Sequence, residues 1–537
     1  MSNANKFNRR WFMIDIARQQ TFSREEFIDI LDTLKRLDYN GIGMYFECAF
    51  EFKNYPGVVR ENVMTYEDAK WFVEECKKRD IYAFPMTNVA GHMNHFYGLE
   101  RNRELFSNGV PFQLDFQHEK AKEFVMGYVK EYIDAFGADM INIGGDEVSL
   151  DGEEQTVAYA KFIGEICSEL LKLGVRPSIW GDMFVKTPEL CEFLDKDTII
   201  FDWCYHGHHP DTLQIFIDKG FKDIVACNCD NGWIGLINQQ SGGKLYREDM
   251  PVALDEVEPF LEDSKNLGLM NGMVTDWENY IGRNLWGQWA PIARCALFMN
   301  GEVEARACKD DQIDNALFGR ITGYAEATRV LQDGLQPADI PAISPPHNIL
   351  FSLRTGIHEP NFFEKVMNQL IKEKPTYFDN YDVTIEKAEA ILDKWVPETY
   401  VEQRCLSALY KIISMARVVS CMVKIAKGYH SLYVKAAALQ FETTNVAKQY
   451  LNRFENLIRH TQTEIRSYRD MHTTAVEKTG YSKNDYVKLN IMYDRVGLMA
   501  DYVHQFSEVM DRIPLPRIEA LLAQSMVDKF HDWGLKL

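Results

Sequence analysis

Met140-Ile141-Asn142-Ile143-Gly144-Gly145-Asp146-Glu147 is a short apolar run that ends in two glycines and two adjacent acids. The run reads as a buried strand, and the glycines allow another group to approach the backbone closely. Placing two carboxyls side by side at a strand end raises the cost of ionising both, so one is expected to hold a proton near neutral pH. Seven further stretches show the same design of apolar strand and polar end. They are 11–18, 41–48, 81–90, 177–184, 198–205, 223–229 and 269–277. Amphipathic helical patterns separate them, among them 24–37, 66–78, 119–136 and 155–173. Several strands are apolar on both faces, as a parallel sheet covered by helices requires. Eight such units in about 290 residues fit an α/β fold, a (β/α)8 TIM barrel, better than a doubly wound sheet.

A barrel of this kind gathers its functional side chains at the C-terminal ends of its strands. Glu47, His92, Asp146, Glu147, Trp180, Asp182, Asp202, Trp203, Asp230, Asp276 and Trp277 fall at those ends. After about residue 300 strand signals vanish, Pro337, Pro341, Pro345 and Pro346 mark a hinge, and long helical patterns follow. The expected division is a catalytic barrel at 1–300 and an all-α C-terminal domain at 301–537 that supports the barrel or self-associates, a homodimer being one such arrangement.

With 537 residues, a formal net charge of −20 and no basic block, the chain argues against nucleic acid or an anionic membrane as partner. No apolar stretch reads as a bilayer span, and Met1 to Arg10 lacks the apolar core of a secretory signal, so a cytoplasmic protein is expected. Eleven scattered cysteines read as reduced thiols, and Cys227-Asn228-Cys229 has no second pair at zinc spacing. No metal or cofactor is expected.

A protonated carboxyl beside an ionised one suits acid catalysis on a glycosidic bond. Neighbours on one strand end cannot flank a sugar as the two carboxyls of an ordinary retaining glycosidase do, about 5–5.5 Å apart. Glu147 would instead protonate the leaving oxygen. Asp146 would orient the acetamido group of a 2-acetamido sugar, whose carbonyl oxygen attacks the anomeric carbon. Trp180, Trp203 and Trp277 would wall the sugar, and His92, with Glu47, would tune Glu147.

These residues resemble the catalytic signature of glycoside hydrolase family 20, the β-N-acetylhexosaminidases, in a bacterial subgroup with a helical C-terminal domain. Arg10, Asp15 and Arg18 repeat the family's first-strand spacing, and Gly91-His92 matches its third strand. The resemblance implies a sugar-hydroxyl contact for Arg10, an acid linked to His92 in Glu47, and pocket walls in the three tryptophans. It departs at Cys227-Asn228-Cys229-Asp230, where the family's tyrosine is missing. It departs again at Trp277-Glu278-Asn279, where the acid is displaced by one position. Asp230 and Glu278 remain substrate-binding candidates.

The expectation is therefore exo-acting removal of terminal GlcNAc or GalNAc from a small-molecule or oligosaccharide substrate through an oxazolinium ion. Three alternatives stand beside it: a covalent nucleophile such as Glu278 or Asp202, a non-catalytic amino-sugar-binding barrel, and a metal hydrolase on His92 and His206.

Overall fold

The computed structural model describes residues 5–532 apart from 18–21, 56, 58–62, 107–108, 206, 230–257, 278–284, 306, 336–378 and 480–482. Eight parallel strands close into a barrel in chain order: β1 (Arg9–Asp15), β2 (Gly41–Tyr45), β3 (Tyr82–Met86), β4 (Met140–Asn142), β5 (Arg176–Trp180), β6 (Ile199–Trp203), β7 (Ile224–Cys229) and β8 (Asn271–Asp276). The circle closes where β1 pairs with β8, Trp11 opposite Met273 and Met13 opposite Thr275.

Alternation along β1 shows how one sequence serves two cores. Trp11 and Met13 point into the lumen with Tyr45, Phe84, Met86, Trp180, Phe201, Cys227 and Met273. Phe12 and Ile14, one residue out of step, are buried against the helix layer, where the Phe12 ring stacks on Trp289 with centroids 6.2 Å apart. The lumen is thus packed solid below its C-terminal rim, and functional side chains are confined to that rim.

The helices begin where local chemistry dictates. Ser23 and Glu26 form a reciprocal cap on Arg24–Arg36, and Thr65 and Asp68 do the same for Tyr66–Lys77. Ala121–Phe136 stops at Gly137, whose φ of 57° is left-handed. Asp310–Phe318 packs on the barrel helices Trp289–Met299 and Arg24–Arg36, so the barrel unit runs on to Ile321, past the boundary at 300 drawn from the sequence.

The described residues of the second unit are mostly helical. Tyr400–Ala437 packs on Thr444–Thr479, which packs in turn on Lys483–Val509. Thr399 caps the first of these by accepting the Glu402 N–H at 3.1 Å, while the Glu402 carboxylate accepts from Trp395 Nε1 at 3.1 Å. Tyr400–Ala437 is long and apolar enough to cross a membrane by length and composition alone, but its apolar window is largely buried in the structure, as in a core helix.

Candidate active site

The corner after β4 is held in an unusual backbone. Gly144, Gly145 and Glu147 all have positive φ, at 69°, 93° and 54°. The left-handed region costs a residue with a Cβ about 1–2 kcal/mol, so Glu147 must be restrained by its surroundings. The restraints are identifiable. Gly144 N–H donates to Asn142 Oδ1 at 3.0 Å, and Trp180 N–H donates to Gly144 O at 3.1 Å. The Tyr159 hydroxyl donates to Gly145 O, and Glu147 N–H donates to Asp182 Oδ2 at 3.2 Å. A Cβ at Gly144 would lie 1.7 Å from Asn88 Oδ1 and 2.8 Å from Thr87 O. The groups that approach these glycines closely therefore belong to the protein itself.

This corner presents two different carboxylates. The Asp146 side chain is 13% exposed and the Glu147 side chain 56%. His92, at the β3 end with a left-handed φ of 53°, stands between them, Nε2 lying 3.3 Å from Asp146 Oδ2 and 3.3 Å from Glu147 Oε2. Burial keeps the nearby His95 neutral, with its pKa down at about 4. Glu47 accepts the Tyr45 hydroxyl at 2.8 Å, and Tyr45 accepts in turn from Asn88 Nδ2 at 2.6 Å, which ties the β2 end to β3.

The aromatic side of the mouth is continuous. Trp180 is 1% exposed and forms the floor; its ring lies 6.0 Å from that of Trp277, which meets Tyr45 edge-on at 5.1 Å. Trp277 Nε1 donates to the Tyr205 hydroxyl at 2.7 Å, and the Tyr205 ring lies 4.9 Å from Trp203. Burial raises the Tyr205 phenol well above its ordinary range, so the hydroxyl keeps its proton.

The raised carboxyls lie on the strands after β4. Asp182 is pushed up to about 6, by burial first and then by the charge of Asp146. Asp202 is pushed up to about 7, by burial first and then by Asp182, against a hydrogen bond from Thr212 Oγ1 at 2.6 Å. Asp202 is 2% exposed and out of step with the inward Phe201, so it faces the helix layer.

Of the residues singled out from the sequence, His92, Asp146 and Glu147 come together. Trp180, Trp203 and Trp277 line one side of the same mouth, and Glu47 joins it through Tyr45. Arg10 does not. It is the second residue of β1, at the end of the barrel opposite Asp146, and shares the outward parity of Phe12. Its guanidinium donates to Phe7 O at 2.6 Å, Asp38 O at 2.8 Å and Asp38 Oδ1 at 3.1 Å. The sugar-hydroxyl contact implied for it is thereby replaced by a structural role. Asp230, Glu278, Arg18 and His206 lie outside the described residues. Buried Cys227 and Cys229 belong to no three-donor cluster among the described residues. Tyr45, Asn88 and Tyr205 were not anticipated; Tyr205 follows Trp203 by two residues and so continues the inward face of β6.

No protein-family model matches the chain. A curated beta-hexosaminidase subunit beta from Entamoeba histolytica is 23% identical over 259 residues, 40% of this chain. The chain spans 44% of that relative's length. Among solved structures, a beta-N-acetylhexosaminidase from Bacteroides fragilis NCTC 9343 is similar at 16% identity and a TM-score of 0.43, over 54% of this chain and 65% of that one. A GH20 beta-N-acetylhexosaminidase from Streptomyces coelicolor A3(2) is similar at 14% identity and a TM-score of 0.43, over 55% and 64%. The chain is thus similar in sequence, over part of its length, to a curated beta-hexosaminidase subunit, and it carries the Gly144-Gly145-Asp146-Glu147 corner at the end of β4.

Proposed function

We propose that the protein is an exo-acting β-N-acetylhexosaminidase that removes terminal N-acetylhexosamine with retention, the substrate's own acetamido group serving as nucleophile. The observation that carries this reading is the His92–Asp146–Glu147 grouping, with one carboxylate sunk and the other open, beside an aromatic floor. Glu147, the exposed acid, gives its proton to the departing glycosidic oxygen. Asp146 accepts the acetamido N–H, turns the carbonyl oxygen toward the anomeric carbon and balances the charge of the oxazolinium ion as the C–O bond breaks. Glu147, now a carboxylate, takes a proton from water as that water opens the ring from the face the leaving group vacated. The two displacements together retain configuration. His92 Nε2 sits at equal distance from the two carboxylates and steadies their separation.

A covalent route through Asp202 is not favoured. That carboxyl is buried toward the helices, bonded by Thr212 and held protonated up to about pH 7, so it is neither exposed to a sugar nor a ready nucleophile. Aryl β-glycosides of GlcNAc, GalNAc and glucose test the proposal. The first two should be cleaved and the glucoside left intact. Comparable turnover of the glucoside would remove the acetamido group from the mechanism.

A further inference from the structure

Glu147 has a strained backbone, and its N–H is received by a carboxylate, Asp182, that the hydrolytic steps above do not use. Asp182 starts the turn after β5, two residues past the floor residue Trp180. The charged and titratable groups that face it are Asp146 and Glu147 from the β4 end, Asp202 from β6, Tyr159 from the helix Gly152–Lys172, and Lys186 on its own turn, with Nζ at 3.5 Å. Each carboxylate has one oxygen engaged. Asp146 Oδ2 meets His92, and Asp182 Oδ2 receives the Glu147 N–H. The other two, Asp146 Oδ1 and Asp182 Oδ1, are buried without a hydrogen-bond partner. Two buried carboxylate oxygens without donors at the ends of neighbouring strands are costly, and a proton kept on Asp182 Oδ1 lowers that cost.

We propose that Asp182 is a positioning residue whose carboxyl accepts the Glu147 N–H on one oxygen and keeps a proton on the other, buried one, beside the charge of Asp146, so that one side chain sets the geometry of both acids. This rests on the hydrolase reading above and adds a residue to it. The direction in which burial and Asp146 shift Asp182 agrees with a retained proton. Asparagine is the uncharged counterpart of that state: its carbonyl accepts the Glu147 N–H and its amide donates toward Asp146 at every pH. When Asp182 itself loses the proton, two anions face each other and Asp146 is displaced from the acetamido N–H.

The test compares D182N and D182A with wild type on an aryl GlcNAc substrate at about pH 5 and about pH 8. D182A should lose about 100-fold in kcat at both, the scale of a misplaced catalytic group. D182N should rescue most of that loss at the lower pH, and its kcat relative to wild type should rise several-fold at the higher one. A D182N as impaired as D182A, or a ratio that does not change with pH, overturns the proposal. Melting temperatures supply a readout without turnover: D182N should gain on wild type as pH rises, and a constant difference counts against a proton kept on Asp182. If wild type cleaves no N-acetylhexosaminide, the hydrolase reading fails, while the melting comparison still decides the fate of the proton.

Discussion

Gly144→Ala tests the architecture of the corner that carries both acids. Two costs add. The φ of 69° puts alanine in the left-handed region, about 1–2 kcal/mol. The new methyl would sit 1.7 Å from Asn88 Oδ1 and 2.8 Å from Thr87 O, whereas real Cβ contacts essentially never fall below 3.0 Å. Something must therefore move by more than 1 Å. Overpacking of this sort costs a further 1–3 kcal/mol or so, for a total of about 2–5 kcal/mol. In a unit of this size that corresponds to a fall in Tm of about 3–8 °C. Because the displaced segment leads directly into Asp146 and Glu147, turnover should fall by about 100-fold. Thermal and urea unfolding give the first number and steady-state kinetics the second. A companion, G144A/N88A, separates the causes: deleting the Asn88 side chain removes the 1.7 Å clash but leaves Thr87 O and the backbone penalty, so it should recover part of the stability. A single variant that melts within about 2 °C of wild type and turns over normally would refute the construction of the corner.

Other outcomes follow from the same geometry. Glu147→Gln should abolish cleavage of unactivated substrates without lowering Tm, since its side chain is more than half exposed, and activity with an aglycone that needs no proton should survive better. Asp146→Asn should lower kcat by two orders of magnitude or more, on the scale of a lost electrostatic stabiliser; near-normal kcat would remove its assigned role. Asp202 makes stability depend on pH. Its folded pKa, about 7, lies above the reference 3.8, so the folded state binds the proton more tightly and its contribution is lost as pH rises from about 4 through 7. Wild type should therefore melt lower at pH 8 than at pH 5, and D202N should flatten that slope; parallel curves would contradict it. Arg10→Ala should destabilise the barrel by about 2 kcal/mol through the orphaned carbonyls of Phe7 and Asp38, with KM unchanged. A large rise in KM would restore the sugar contact.

The fold was legible because apolar runs of strand length recur eight times with helical periodicity between them, and all eight became strands of one barrel. Seven of the eight C-terminal limits lie too far along; only that of β7, at Cys229, agrees with the sequence reading. The run at 140–147 ends as a strand at Asn142, because a left-handed backbone from Gly144 onward cannot continue a ladder. That the paired acids and His92 gather at one mouth was legible because all three fall just past the ends of neighbouring strands. Arg10 misled because a spacing match says nothing of which face a residue occupies; its parity with Phe12 and Ile14 points it away from the lumen. The acids raised by burial, Asp182 and Asp202, depend on neighbours from other strands, and that information resides in the tertiary structure.

The central claim is that the sugar's amide is the nucleophile and that Asp146 and Glu147 steer it. The most direct measurement is the turnover of aryl glycosides whose N-acetyl group carries none, one, two or three fluorines, which weaken the carbonyl oxygen in steps without changing the leaving group. Along this series log kcat should fall steeply. A flat series, with all four glycosides cleaved alike, would contradict it.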